Sequence, residues 1–266
     1  MQAMNEEKKA MNERKKAMDE ERSVLRWGGL AGMIGSALFV VVFVFVGVFV
    51  GDEASAAAWV ERFPEIRWAR TVENSLFLVV LILWVPHFLA LYRALRRESL
   101  APALFGSVLG ILGLVVLAAE ALPHVAQAPI SDLYHAPGAT PEEKATLVFM
   151  WQATQGILDA MLIAGLVILP IGIVCLGVAM HGARDFGKGF GGVGVVLGLL
   201  GVGGAALLLV NPGSIPGAMV GVFTLIIFHF VVGWKVRRLS RLVGINGEAH
   251  SHVEKSSREK KVKETR

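Results

Sequence analysis

A single cysteine, Cys175, occurs among 266 residues, and it sits inside an apolar run. One thiol excludes an intramolecular disulfide framework and a cysteine-rich metal site. Charge is just as scarce through most of the interior. It crowds into the first 26 residues and the tail after Lys235, and long runs between them carry none. Nucleophile and phosphate motifs are missing as well: there is no G-x-S-x-G, no H-E-x-x-H and no Walker loop, which excludes the chemistries those patterns encode. The glycine-rich stretch "GKGFGGVG", Gly187 to Gly194, lacks the Lys-Ser/Thr ending and the preceding strand of a phosphate loop, and reads as a tight turn entering a helix.

What is abundant is apolar. Hydrophobic residues make up 54% of the chain and the mean hydropathy is +0.58, too apolar for a soluble domain. Uncharged runs of about 20 residues can cross a bilayer as helices, and six occur: Gly28–Val50, Asn74–Tyr92, Ala103–Leu122, Ile157–Met180, Phe190–Val210 and Ile215–Trp234. The fold class is therefore all-α, a polytopic bundle of six transmembrane helices whose partner is the lipid bilayer. The net charge of +4 belongs to the flanks, so no nucleic-acid surface is expected. "TPEE", Thr140 to Glu143, is a capping box with proline at the first helical position, so the fourth span should begin outside the membrane and bend near Pro170. "ASAAA" after the first span resembles a signal cleavage site, but the apolar stretch before it exceeds the 7–15 residues of a signal peptide and reads as an uncleaved anchor.

Basic residues set the orientation. The N-terminal arm, Arg93 to Arg97, Arg184 with Lys188, and the tail from Lys235 carry most of them, in every second connection and so on one side of the membrane. Both termini are expected in the cytoplasm of a plasma-membrane protein. Three parts follow: a charged arm at 1–26, a transmembrane domain at 27–238, and a charged tail at 239–266 without fixed structure. The arm repeats nearly the same seven residues three times, but its apolar pairs, such as Ala3-Met4 and Ala10-Met11, are adjacent rather than spaced three and four apart. It lacks the seam of a coiled coil.

Small residues recur at helical spacing: Gly28, Gly32 and Gly35 in the first span, Gly106, Gly110 and Gly113 in the third, Gly194, Gly198 and Gly201 in the fifth. Helices in lipid associate through such close contacts, so these stripes are packing faces, within the bundle or in a homo-oligomer.

Ionisable residues near apolar spans are the functional candidates, because burying them in lipid is costly. Glu73 lies 20 residues before Arg93, Asp159 lies 22 before His181, and Glu120 lies 18 after Pro102. At the α-helical rise these separations of about 27–33 Å bring three carboxylates to one level, on the outer side. Glu120 and His124 continue the glycine stripe of the third span. Gln152 and Gln155 share a face with Asp159. The expectation is an outward pocket lined by Glu73, Asn74, Glu120, His124, Gln155 and Asp159 and roofed by a loop, "SDLYH", with Asp132 and His135. Such a set could hold a small solute or cation, relay protons or ligate a metal. The alternative is that these groups only finish helices at headgroup height. On the cytoplasmic side, His87 and His229 each stand six residues before a basic helix end, the matched depth that axial haem ligands require. Trp84, Tyr92 and Trp234 near that end read as an interfacial aromatic belt.

"RWGGLAGMIGSALFVVVFV", "LALYRALRR" and the six-span plan resemble bacterial integral membrane proteins classed as a domain of unknown function, over roughly residues 26 to 240. That resemblance implies a plasma-membrane address and brings no catalytic residues. The leading functional expectation is a non-enzymatic protein without cofactor that binds or transports a small solute or ion. A membrane-embedded metal or haem enzyme and a scaffold or accessory subunit are the alternatives.

Overall fold

The computed structural model describes residues 2–211 and 214–264, with side chains in the last part described as far as Leu242. Pro212 and Gly213 of the fifth loop lie outside the described residues. Among the described residues seven α-helices follow one another: α1 (Gln2–Phe45), continued by a π-helical turn at Val46–Val50, α2 (Ala56–Leu95), α3 (Leu100–Ala119), α4 (Ala121–Tyr134), α5 (Pro141–Gly182), α6 (Gly187–Val210) and α7 (Ile215–Glu264). No strand occurs among the described residues. Six helical stretches are long and apolar enough to cross a membrane, with α3 and α4 counted as one. This is the make-up of a multi-pass membrane protein.

The helices outrun the apolar stretches that announced them. The heptapeptide repeat forms the first turns of α1, continuous with the first span, and α7 continues to Glu264. α2 begins some eighteen residues before Asn74, at a start capped by the Ser55 hydroxyl, which accepts from the Ala58 amide. The Thr140–Glu143 capping box closes the start of α5 reciprocally, at 3.3 and 2.8 Å. α5 runs through Pro170 as one element. The expected turn at Gly187 to Gly194 is itself the beginning of α6, with only Gly187 at positive φ.

The third span is divided. α3 ends at Ala119 and α4 begins at Ala121, and the cause is Pro123, four residues after Ala119. Its ring nitrogen has no hydrogen to give the Ala119 carbonyl, and the ring collides with that carbonyl in a regular helix. The Glu120 amide turns instead to the Leu117 carbonyl at 3.2 Å. "SDLYH" is consequently the last turn of α4 and its cap, not a roofing loop.

Glycines hold the bundle together internally. A Cβ on Gly106 or Gly113 would meet the α5 backbone at 2.8 Å, and one on Gly172 of α5 would lie 2.6 Å from the Gly110 nitrogen and 2.8 Å from the Gly106 oxygen. Gly191, Gly194, Gly198 and Gly201 of α6 lie against His181, Gly177, Val174 and Pro170 of α5, and Gly29 of α1 against Arg237 and Gly233 of α7. The glycine stripes, expected to pack within the bundle or in a homo-oligomer, thus make contacts within one chain. Close approach through small residues lets van der Waals contact supply what hydrophobicity cannot between helices in lipid.

Among the described residues three apolar clusters result: a small one of Val50, Ile66 and Ala69, and two that join several helices. The larger one unites all the long helices around Trp84, Phe88, Leu117, Leu166, Leu169, Leu176 and Phe228. The smaller joins Val60 and Phe63 of α2, Ile130 of α4, and Leu147 and Trp151 of α5, with Phe63 and Trp151 edge to face at 5.1 Å. At the other end of the bundle Glu21 of α1 pairs with Arg97 at 3.0 Å, and the Glu98 carboxylate accepts from the Arg184 amide at 2.6 Å.

Candidate functional site

Three spans, α3 and α4 counting as one, pass from the small core to the large one, and each changes character in between. Along α2 the order is Val60 and Phe63, then Arg70 and Glu73, then Phe77 and Val80. Along α4 and back into α3 it is Ile130, then Gln127, His124 and Glu120, then Leu117 and Leu114. Along α5 it is Leu147 and Trp151, then Gln155 and Asp159, then Leu162 and Leu166. A polar layer is therefore enclosed between two apolar ones.

Within it the Arg70 guanidinium donates to Glu73 at 3.1 Å, both side chains being mostly covered at 20% and 16% exposure, and lies over the Trp59 ring at 5.0 Å. The Gln127 amide, in a side chain that is almost wholly buried, donates to the Gln155 oxygen at 3.1 Å. Gln155 in turn donates to Asp159 at 3.1 Å. That relay ties α4 to α5. Glu120 stands within electrostatic reach of Glu73, Asp159 and Arg70, and His124 within reach of Arg70. Glu120 Oε2 and His124 Nδ1 are buried with no hydrogen-bond partner.

Of the expected lining, the structure brings Glu73, Glu120, His124, Gln155 and Asp159 into this layer. Asn74 is half-buried next to it, and its side chain makes no hydrogen bond among the described residues. Gln152 is exposed. Asp132 leaves the layer for an exposed pair with Arg67 at 3.0 Å, and His135 bonds the Ser131 carbonyl at 2.8 Å. Sequence reasoning missed Arg70 and Gln127. Arg70 lies outside the six apolar runs, in a connection between two of them, although its place three residues before Glu73 is the spacing of a helical ion pair. Gln127 lay in a segment read as connection, and the signal was its spacing of three from His124.

The charges do not balance. Three carboxylates face one guanidinium, and the carboxamides are neutral. An enclosed site holds such an excess only with a cation or protons to offset it.

His87 and His229 meet at the opposite level. Both are fully buried, with ring centroids 5.1 Å apart and planes at 65°. Trp84, expected in an interfacial belt, is also fully buried and stacks on His229 at 4.0 Å. Phe88 closes on His229 edge-on at 5.1 Å. Axial haem ligands face each other across a porphyrin; here the two rings touch directly and aromatic side chains fill the space around them, so the pair does not fit a haem. Among the described residues no group of three or more His, Cys, Asp or Glu side chains is arranged to hold a metal ion.

The fold and the layer together define a helical multi-pass membrane protein with an enclosed, acid-rich layer toward one end of its bundle. No family model, no curated protein and no solved structure matches the chain.

Proposed function

We propose that this is a plasma-membrane protein that binds a small cation, or protons in its place, in the layer formed by Arg70, Glu73, Glu120, His124 and Asp159, as a binding or transport-related protein rather than an enzyme. The observation that carries the reading is the uncompensated charge. Glu120 Oε2 is buried without a donor beside two further carboxylates and a single arginine. A mobile positive charge is the partner this set lacks. Glu120 also sits where α3 gives way to α4, so occupancy there would act on the relative position of two helices.

The orientation that follows from the basic residues places both termini in the cytoplasm and the acid-rich layer toward the outside. Single cysteines at Pro137, exposed in the α4–α5 connection, and at Ser99, between α2 and α3, on a Cys175→Ser background, are expected to react with an impermeant thiol reagent from outside and inside respectively. The reverse pattern would turn the layer to the cytoplasm.

The binding reading is tested by Glu120→Gln, which keeps the shape and removes the charge. In detergent the wild-type protein is expected to gain several degrees of thermal stability when sodium or calcium chloride replaces choline chloride, or when the medium is acidified. E120Q should lose most of that response, and Glu65→Gln, on an exposed part of α2, should keep it. An unchanged response in E120Q would refute the assignment.

A further inference from the structure

The apolar surface of the third span does not stop where the hydrocarbon of a membrane does. α3 is 20 residues long, about 30 Å, which is the thickness of that layer. α4 adds 14 residues, about 21 Å more. The end of the bundle that α4 belongs to is too polar for hydrocarbon. Ile130 of α4 packs with Val60 of α2 and Leu147 of α5, and exposed Glu61, Glu65, Glu142 and Glu143 stand close in sequence to those two partners. Yet α4 turns Leu122 and Leu133 outward at 66% and 58% exposure, together with Ala126 and Pro129.

The outward residues recur every seven. Phe105, Leu112, Ala119, Ala126 and Leu133 form one series. Val108, Val115, Leu122 and Pro129 form a second, three residues after the first. All are apolar, and all except the half-buried Ala119 are exposed. Two apolar positions per heptad, kept up over four heptads, make the seam of a left-handed coiled coil. The repeat at the start of α1 lacks the second position; α3 and α4 have it. We propose that α3 and α4 form the contact face of a homodimer, in which this seam packs in parallel against the same seam of a second copy, about a two-fold axis along the membrane normal.

The occupant follows from height and from symmetry. Lipid tails cover the seam along α3 but end below α4, so whatever covers α4 must present apolar groups at the same level outside the bilayer. A two-fold axis along the normal supplies them, because each residue then meets its own counterpart at its own height. The seam carries no charge, so pairing it with itself sets no like charges against each other. α3 and α4 together run 35 residues, about 52 Å by a helix width of about 10 Å, and two copies would cover on the order of 1,000 Å², the size at which specific interfaces begin. The glycine stripes are not needed for this contact, since they are occupied within one chain. On the reverse side of α4, buried Gln127 donates to Gln155 of α5. Dimerisation therefore braces the wall of the acid-rich layer from behind without adding a group to it, and it holds whichever way the layer faces.

The test uses the full chain in liposomes on the Cys175→Ser background. Ala126→Cys is expected to give a disulfide-linked dimer under mild oxidation, because facing seam residues of a parallel pair come within disulfide reach. Ala153→Cys, exposed on α5 beside the level of the Gln127–Gln155 bond, is expected to stay monomeric and measures random collision. Ala126→Glu brings two like charges together at the axis. Förster transfer between labelled copies should then need a protein-to-lipid ratio more than about tenfold higher to reach half its maximum, while helix content stays that of the wild type because the side chain is exposed. Absence of a self-linked dimer from Ala126→Cys, equal yields from the two cysteines, or undiminished transfer in A126E would each overturn the proposal. The first result would assign the face to the neighbouring leaflet or to a different protein, and the last would move the oligomer to another surface. E120Q should dimerise as the wild type does, so a failure here is separate from a failure of the acid-rich site.

Discussion

Gly172→Val is expected to yield little or no folded protein, and what can be purified should melt far below the wild type. The reason is the backbone on the opposite side. A Cβ at Gly172 would lie 2.6 Å from the Gly110 nitrogen and 2.8 Å from the Gly106 oxygen, and neither is the end of a side chain that could swing away. α3 and α5 would have to separate along their whole contact, undoing the close approach that also seats Leu169 against Gly113 and Leu176 against Gly106. Overpacking in a well-filled core costs about 1–3 kcal/mol even where side chains can yield, and this site exceeds that range because they cannot. Gly203→Ala is the matched comparison. It lies on an exposed face of α6 with nothing within 4 Å and should leave the melting temperature within a degree or so. Equal behaviour of the two variants, measured by thermal unfolding in the same detergent, would show that the α3–α5 approach is not a determinant of the fold.

Arg70→Ala should destabilise the protein by about 3 kcal/mol, the order found when one member of a mostly covered ion pair is removed and the other is left behind. For a chain of this size that is a fall in melting temperature on the order of 10 °C. Among the described residues Arg70 is the only guanidinium set among Glu73, Glu120 and Asp159, so its loss leaves three negative charges with no fixed partner. Two signs distinguish this account from a simple loss of packing. The deficit should shrink as the pH falls, because protonation removes the repulsion, and Arg70→Ala with Glu73→Gln should be more stable than Arg70→Ala alone. If the layer binds a cation, R70A should also bind it more tightly than the wild type. A deficit independent of pH and undiminished in the double variant would assign Arg70 a packing role, through its contact with Trp59.

How far the sequence could be read depended on the kind of signal. The spans were legible because an uncharged apolar run has few other ways to exist, and the α5 cap because Thr140, Pro141 and Glu143 interact within one turn. The matched levels of Glu73, Glu120 and Asp159, and of His87 and His229, were legible because helical rise is constant. Helix ends were less so. The first eighteen residues of α2 are polar enough to resemble a loop, and they are helical because Val60 and Phe63 find Ile130 and Trp151, which are remote in sequence. The expected roof over the site failed for the same reason: Ile130 and Ser131 are buried against α2, where the Ser131 hydroxyl reaches the Val60 carbonyl at 3.3 Å.

The sequence by itself determined that this is an all-helical chain with six spans, where its charges stop, and at what heights its ionisable residues stand, since these depend on local hydropathy and on a fixed rise per residue. Only the tertiary structure decided who meets whom. It sent the glycine stripes inward, gave Glu73 to Arg70 and Gln155 to Gln127, sealed the acidic layer between two cores, and turned His87 and His229 toward each other under Trp84. Rotation of a helix about its axis and the choice of neighbour leave no trace in a hydropathy profile. They are set by which faces interlock, and that is a property of pairs of helices, not of any one segment.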